Sequence, residues 1–242
     1  MPRSNAPSRA LLVIPAYNES RAIGEVVRRC HAALPDHAVL VVSDASTDDT
    51  AAQARAAGAC VLELSQQIGA WGATQTGCRY ALRNGFDVVV SLDGDGQHDP
   101  AGLPELLATH HACGADVVIG TFSERLSPTK KLAWRWFRAL TGLKVEDLTS
   151  GLRVYNRRAI RVLASPEATM LDYQDVGVLL LLRRYALSVH EVPVRMHLRR
   201  DGKSRVFSSW LTVARYMAHT TVLSLARGGG KVRLPESQGP QA

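Results

Sequence analysis

Only four cysteines occur in the 242 residues, Cys30, Cys60, Cys78 and Cys113, and no two of them form a C-x-x-C pair. That excludes the spacing of a zinc ribbon or a dithiol redox centre and reads as reduced core thiols. Long apolar runs are also missing. No window holds the ~18–20 uncharged apolar residues of a spanning helix; the nearest approach, 206–226, contains Arg215 and His219. The run ALLVI (10–14) is too short for the apolar region of a signal peptide. These absences predict a cytoplasmic protein that is not integral to a membrane. Acid is in deficit, 22 Asp and Glu against 29 Lys and Arg, for a net charge of +7. The excess points to an acidic partner, whether nucleic acid, an anionic membrane surface or a phosphorylated ligand. No DNA- or RNA-binding motif is present, which disfavours nucleic acid. The glycine-rich GAWGATQTG (69–77) has neither the Lys-Ser/Thr of a Walker loop nor a G-x-G-x-x-G fingerprint. It reads as small residues that let a helix pack closely, near a nucleotide or in the core.

What is present is an alternation. ALLVI (10–14), HAVLVVS (37–43), CVLEL (60–64), FDVVVSL (86–92) and ADVVIG (115–120) are short apolar runs without polar alternation. Between them lie helical patterns, the first carrying Ile23, Val26, Val27, Cys30 and Leu34 on one face, others at 50–58, 70–84 and 101–112. Strands apolar on both faces predict an α/β domain with a mostly parallel sheet between helices. After Gly120 the pattern changes to basic and aromatic, with Lys130, Lys131, Trp134, Arg135, Trp136, Phe137 and Arg138. It resumes with GLRVYNRRAI, a helix around 175–185 and the strand-like SVHEVPV. The expected division is a flexible 1–9, one domain over 10–205 with 121–147 facing acceptor or membrane, an amphipathic helix over 206–226 and a disordered 227–242.

Three strand ends carry polar loops: PAYNES, SDASTDD and DGDGQHD. In a parallel sheet these lie on one edge, where ligands bind, so together they outline one pocket. Asp93, Asp95 and Asp99 fall within seven residues, and such crowding needs solvent or a cation. Carboxylate and carboxamide oxygens suit a hard divalent ion, and magnesium usually takes one or two carboxylates and completes its shell with water and phosphate. The stretch lacks an EF-hand ligand pattern, and His98 has no His or Cys at zinc-ligand spacing. Asp99 before Pro100 reads as a helix cap. His98 stays unassigned.

Six segments, IPAYNES, VVSDASTDDT, GATQTGCRYA, SLDGDGQHDP, DLTSGLRVYNRRAI and EVPVRM with Arg199 and Gly202-Lys203-Ser204, occur in an order and spacing that resembles glycosyltransferase family 2 enzymes of GT-A fold. The likeness is to their dolichol- or polyprenyl-phosphate sugar synthase branch. It implies a single GT-A-like domain that moves a hexose, with inversion, from a UDP- or GDP-sugar to a polyprenyl phosphate, with Mg²⁺ or Mn²⁺. It implies that Pro15, Tyr17 and Glu19 line the base and ribose site, that Asp44 contacts the base and that Asp93 lies against the nucleotide. Asp95 and Gln97 match the metal positions, Asp147 sits beside the reacting centre with Asp95, and Ser150, Arg153, Arg199, Lys203 and Ser204 bind diphosphate or acceptor phosphate. A peripheral position on the cytoplasmic membrane face follows, with a small membrane-protein partner conceivable.

The chain departs from that pattern where the family commonly has Gly-Ser-Arg, here Gly120-Thr121-Phe122, and where it usually has a glutamate, here Gly177 with Asp175 two residues before. Many relatives also continue into transmembrane helices. The donor half is intact, so the alternatives concern the other half: the same donor chemistry on a soluble acceptor such as a natural product or glycan, or a nucleotide-sugar-binding subunit with little turnover. A nucleotidyltransferase would instead release pyrophosphate.

Overall fold

Uninterrupted Val, Leu and Ile runs leave a strand no face to turn to water, and the computed structural model, which describes residues 9–122, 145, 150–171 and 176–195, buries them accordingly. β1 (Ala10–Ala16), β2 (Ala38–Ser43) and β4 (Val88–Ser91) lie inside the sheet, while the more exposed β3 (Cys60–Glu63) forms one edge. β5 (Val117–Thr121), β6 (Arg153–Asn156) and β7 (Val189–Pro193) complete seven strands in the order β3-β2-β1-β4-β6-β5-β7. Four of the six pairings are parallel; β6 runs antiparallel to both β4 and β5. The expected mostly parallel sheet is therefore present, with one reversed strand in it. The reversal matters for the site: β6 begins at the edge where β4 and β5 end, so Ser91 and Ile119 both pair with Arg153.

Helices cover both faces. On one, α3 (Gly69–Arg83), α5 (Arg157–Leu163) and α7 (Val176–Arg184) pack over Leu11, Val13, Leu40, Val42, Val89 and Ile119. On the other, α1 (Ile23–Ala33) and α4 (Leu103–Cys113) cover Leu12, Ile14, Val41, Val90, Val118 and Val154. Two short helices, α2 (Thr50–Ala56) and α6 (Pro166–Thr169), fill connections. The glycine-rich segment becomes the first half of α3, and its role is close packing: a Cβ on Gly77 would stand 2.2 Å from Cγ1 of Val13 in β1.

Two of the four cysteines correct the expectation of core thiols. Cys30 and Cys78 are buried, and burial pushes both thiols up to about 12, but Cys60 and Cys113 are exposed. All four are free. Among the described residues no helix is long and apolar enough to cross a membrane. The basic aromatic stretch around 128–141 and the segment 206–226 lie outside the described residues.

Candidate active site

The loops after β1 and β2 are bound to each other by short polar side chains. Asn18, in the left-handed region at φ 54°, accepts through Oδ1 from the Thr47 backbone N–H at 2.9 Å. The Glu19 N–H donates to Thr50 Oγ1 at 2.8 Å and the Ser20 N–H to Asp48 Oδ2 at 3.2 Å. Asp48 also accepts from the Thr50 N–H at 3.0 Å, so a carboxylate before α2 receives donors from the helix start and from the neighbouring loop. Its slight burial would raise the carboxyl, but the hydrogen bonds from Thr50 and Ser20 outweigh this and lower it to about 2. Half-buried Pro15, Tyr17 and Glu19 lie along the β1 loop that this network holds in place.

Asp44 closes the end of β2 and is 2% exposed. Its two oxygens accept from the Ile68 and Gly69 backbone N–H groups, each at 2.8 Å. Both donors belong to the start of α3, where unpaired N–H groups and the helix dipole favour a negative charge. The side chain assigned to the base by resemblance thus also anchors a helix, a task that sequence reading missed because the donors lie 24 and 25 residues on.

β4 delivers the acidic loop. Gly94 lets the chain pass beside β1, since a Cβ there would stand 3.2 Å from the Pro15 carbonyl oxygen. Gly96 supplies the turn at φ 76°. Asp95 accepts from the Gln97 N–H at 3.0 Å, and the Gln97 carboxamide donates to its other oxygen. Gln97 is 7% exposed while Asp95 is half-buried, and the two side chains are hydrogen-bonded to each other. Among the described residues no three His, Cys, Asp or Glu side chains form a ready-made metal cluster. A carboxylate and a carboxamide oxygen are the donor set of a site that an ion shares with substrate phosphate and water. Asp99 does what its place before Pro100 implies, accepting from the Ala101 N–H at 3.1 Å, and it also pairs with Arg29 of α1 at 2.5 Å. The Asp93 side chain is 45% exposed.

From the other side the start of β6 closes against Asp93. A Cβ on Gly151 would lie 2.5 Å from Asp93 Oδ1 and 2.6 Å from Oδ2, so any larger residue would push the Asp93 carboxylate aside. Ser91 Oγ donates to the Gly151 carbonyl at 2.8 Å and fixes it. Ser150 Oγ donates to the Gly120 carbonyl at 2.5 Å, joining β5 to the same turn. Arg153 is wholly buried, with Nε donating to the Ser150 carbonyl at 2.9 Å. In this arrangement Ser150 and Arg153 brace the loop from beneath. Gly151 and Ser91 are site-forming residues to which sequence reading gave no role, although Gly151 lies inside the DLTSG segment. Asp147, Arg199, Lys203 and Ser204 lie outside the described residues.

A family model for glycosyl transferase family 2 matches residues 11–169, from β1 to the end of α6 and through all three loops. The chain belongs to glycosyl transferase family 2. It is 34% identical over 216 residues to the undecaprenyl-phosphate mannosyltransferase of Micrococcus luteus, covering 82% of this chain and 87% of that one. It is 30% identical over 251 residues to the polyprenol monophosphomannose synthase of Mycolicibacterium smegmatis, covering 96% and 91%. Among solved structures, glucosyl-3-phosphoglycerate synthase of Mycobacterium tuberculosis with Mn²⁺, UDP-glucose and phosphoglyceric acid superposes with a TM-score of 0.70 at 20% identity, over 92% of this chain and 80% of that one. That likeness establishes the GT-A fold.

For this glycosyltransferase the geometry sorts its acids by environment. Asp44, Asp48 and Asp99 receive backbone N–H groups and hold loops and helix starts. Asp93 and Asp95 are half-buried and stand on the loop that follows β4, where Asp95 receives its hydrogen bonds from Gln97.

Proposed function

We propose that the protein transfers a hexose from a UDP- or GDP-sugar to a polyprenyl phosphate with inversion at the anomeric carbon. The observation that carries this reading is the similarity over nearly the whole chain to a synthase named for polyprenol monophosphomannose. In the reaction, an oxygen of the acceptor phosphate forms the new bond to the anomeric carbon. The bond from that carbon to the diphosphate breaks, and the nucleoside diphosphate leaves with the electron pair. A phosphate monoester is already largely ionised at neutral pH, its second pKa being about 6, so positioning matters more than a general base.

Pro15, Tyr17, Glu19, Asp44 and Asp93 form the donor side of this proposal, and Asp95 with Gln97 would hold Mg²⁺ or Mn²⁺. A divalent ion there supplies charge to offset that developing on the leaving diphosphate. Asp147 orients a basic side chain at the reacting centre, and Arg199, Lys203 and Ser204 meet phosphate groups, while Ser150 and the wholly buried Arg153, expected from the resemblance to bind phosphate, instead brace the turn before β6. The protein works at the cytoplasmic membrane face, where such an acceptor resides.

The test is incubation of the full chain with GDP-mannose or UDP-glucose, Mn²⁺ and undecaprenyl phosphate in detergent. The expected result is a glycolipid and an equimolar nucleoside diphosphate. Nucleoside diphosphate released only with a soluble acceptor would move the acceptor assignment, and released pyrophosphate would overturn the reaction class.

A further inference from the structure

No part of the foregoing chemistry uses His98. Its side chain is 3% exposed, and neither ring nitrogen has a hydrogen-bond partner. Burying an imidazole in that condition forfeits two interactions with water and replaces neither, a cost that an apolar side chain of similar size would avoid. Such a group calls for an explanation in its surroundings. The His98 Nδ1 atom stands 3.6 Å from Oδ2 of Asp93, just outside hydrogen-bond reach. A movement of about 0.6 Å brings an N–H···O pair to its ordinary length near 3.0 Å. Asp93 is already confined on its other side by the Gly151 backbone, which Ser91 fixes.

We propose that His98 is a positioning residue, whose Nδ1–H holds the Asp93 carboxylate from below in the orientation that meets the nucleotide sugar. The imidazole acts as a hydrogen-bond donor through Nδ1–H, and the contact tightens when donor binding draws the loop together. Its side chain never touches the substrate; it limits the rotamers open to a carboxylate that is otherwise half in solvent. The inference rests on the reading of Asp93 as a donor contact.

Two amide substitutions separate the two ring nitrogens. In His98→Asn the side-chain nitrogen takes the place of Nδ1, and in His98→Gln the place of Nε2, while both bury a similar polar group. With the full chain, Mn²⁺ and either GDP-mannose or UDP-glucose in calorimetric titration, His98→Asn is expected to bind within about threefold of the unsubstituted protein. His98→Gln is expected to bind about tenfold more weakly, matching one hydrogen bond to a charged group. Asp93→Asn weakens binding as well, and adding His98→Gln to it brings no further loss, because the two residues act through one contact. In turnover the loss falls on KM for the donor more than on kcat. Equal behaviour of the Asn and Gln variants, the result of a purely packing role, overturns the proposal, and so does additivity with Asp93→Asn. Loss in Asp93→Asn without loss in His98→Gln removes this inference alone. Unchanged binding in Asp93→Asn removes the reading of Asp93 and the inference with it.

Discussion

Asp44 and Asp95 are both acids at strand ends, yet their surroundings give Asp44 a task in the fold that Asp95 does not share. A carboxylate that is 2% exposed and accepts two backbone N–H bonds belongs to the folding energetics. Asp44→Ala leaves the first N–H groups of α3 without acceptors and is expected to lower stability by about 2 kcal/mol, read as a reduced urea midpoint. Asp95 receives its hydrogen bonds within its own loop, from Gln97. Asp95→Ala is expected to leave the thermal midpoint nearly unchanged while lowering sugar transfer by at least about 100-fold, the scale of losing a charge-stabilising group at a leaving diphosphate. Undiminished transfer in that variant under limiting metal would sink the metal assignment. The sequence identified both residues as polar strand ends. It could not divide fold from chemistry between them, because the division depends on which N–H groups of a distant helix arrive beside which acid. Gly151 was hidden for the same reason: its closeness to Asp93 spans 58 positions and exists only once β6 runs backwards between β4 and β5.

Among the elements, α3 and the two loops beside it are where packing reaches the site. Gly77 brings α3 against Val13, and Gly77→Ala forces a methyl into a 2.2 Å gap. Overpacking of this kind costs about 1–3 kcal/mol, and Val13→Ala in the same chain should recover part of it, a coupling measurable in a double-mutant cycle. The polar pin between the loops after β1 and β2 responds to pH. Asp48 titrates near 2, below its ordinary 3.8, because its hydrogen bonds favour the ionised form. A depressed carboxyl adds stability above its unfolded value and loses it as pH falls through its folded value. The stability difference between the unsubstituted protein and Asp48→Asn should therefore be constant above about pH 4 and vanish toward pH 2. The residue is exposed, so added salt should shrink the difference. A difference that grows on acidification would show that the loops are held some other way. Strands and long helices were legible here because burial on two faces or on one stripe writes a period into the sequence. β6 was not, since its four residues Arg153–Asn156 carry a buried arginine and no period long enough to reveal direction.

On the scale of the molecule, the transfer to a lipid proposed above requires a membrane surface to be reached by a chain with no described helix able to cross it. The excess charge of +7 offers a means, and much of it is concentrated beside aromatics at Lys130, Lys131, Arg135 and Arg138. Basic residues near an anionic leaflet contribute about 1 kcal/mol each, while Trp and Phe sit at the headgroup level. Replacing these four by glutamine is therefore expected to weaken co-sedimentation with phosphatidylglycerol-containing vesicles by about 1,000-fold at low salt, with neutral phosphatidylcholine vesicles binding weakly from the start. Attraction of this kind is screened over about 8 Å at physiological ionic strength, so binding of the unsubstituted protein should fall steeply as salt rises. Donor binding in the same variant should be unchanged, because Asp44, Asp93 and Asp95 stand on the β2 and β4 loops, away from that stretch in sequence. Transfer to detergent-dispersed polyprenyl phosphate should then survive better than transfer to the same acceptor in vesicles, since detergent removes the need to find a charged surface. Vesicle binding that ignores both salt and the substitutions would assign membrane attachment to some other part of the chain. Loss of transfer in detergent as well would place the basic stretch in acceptor recognition itself.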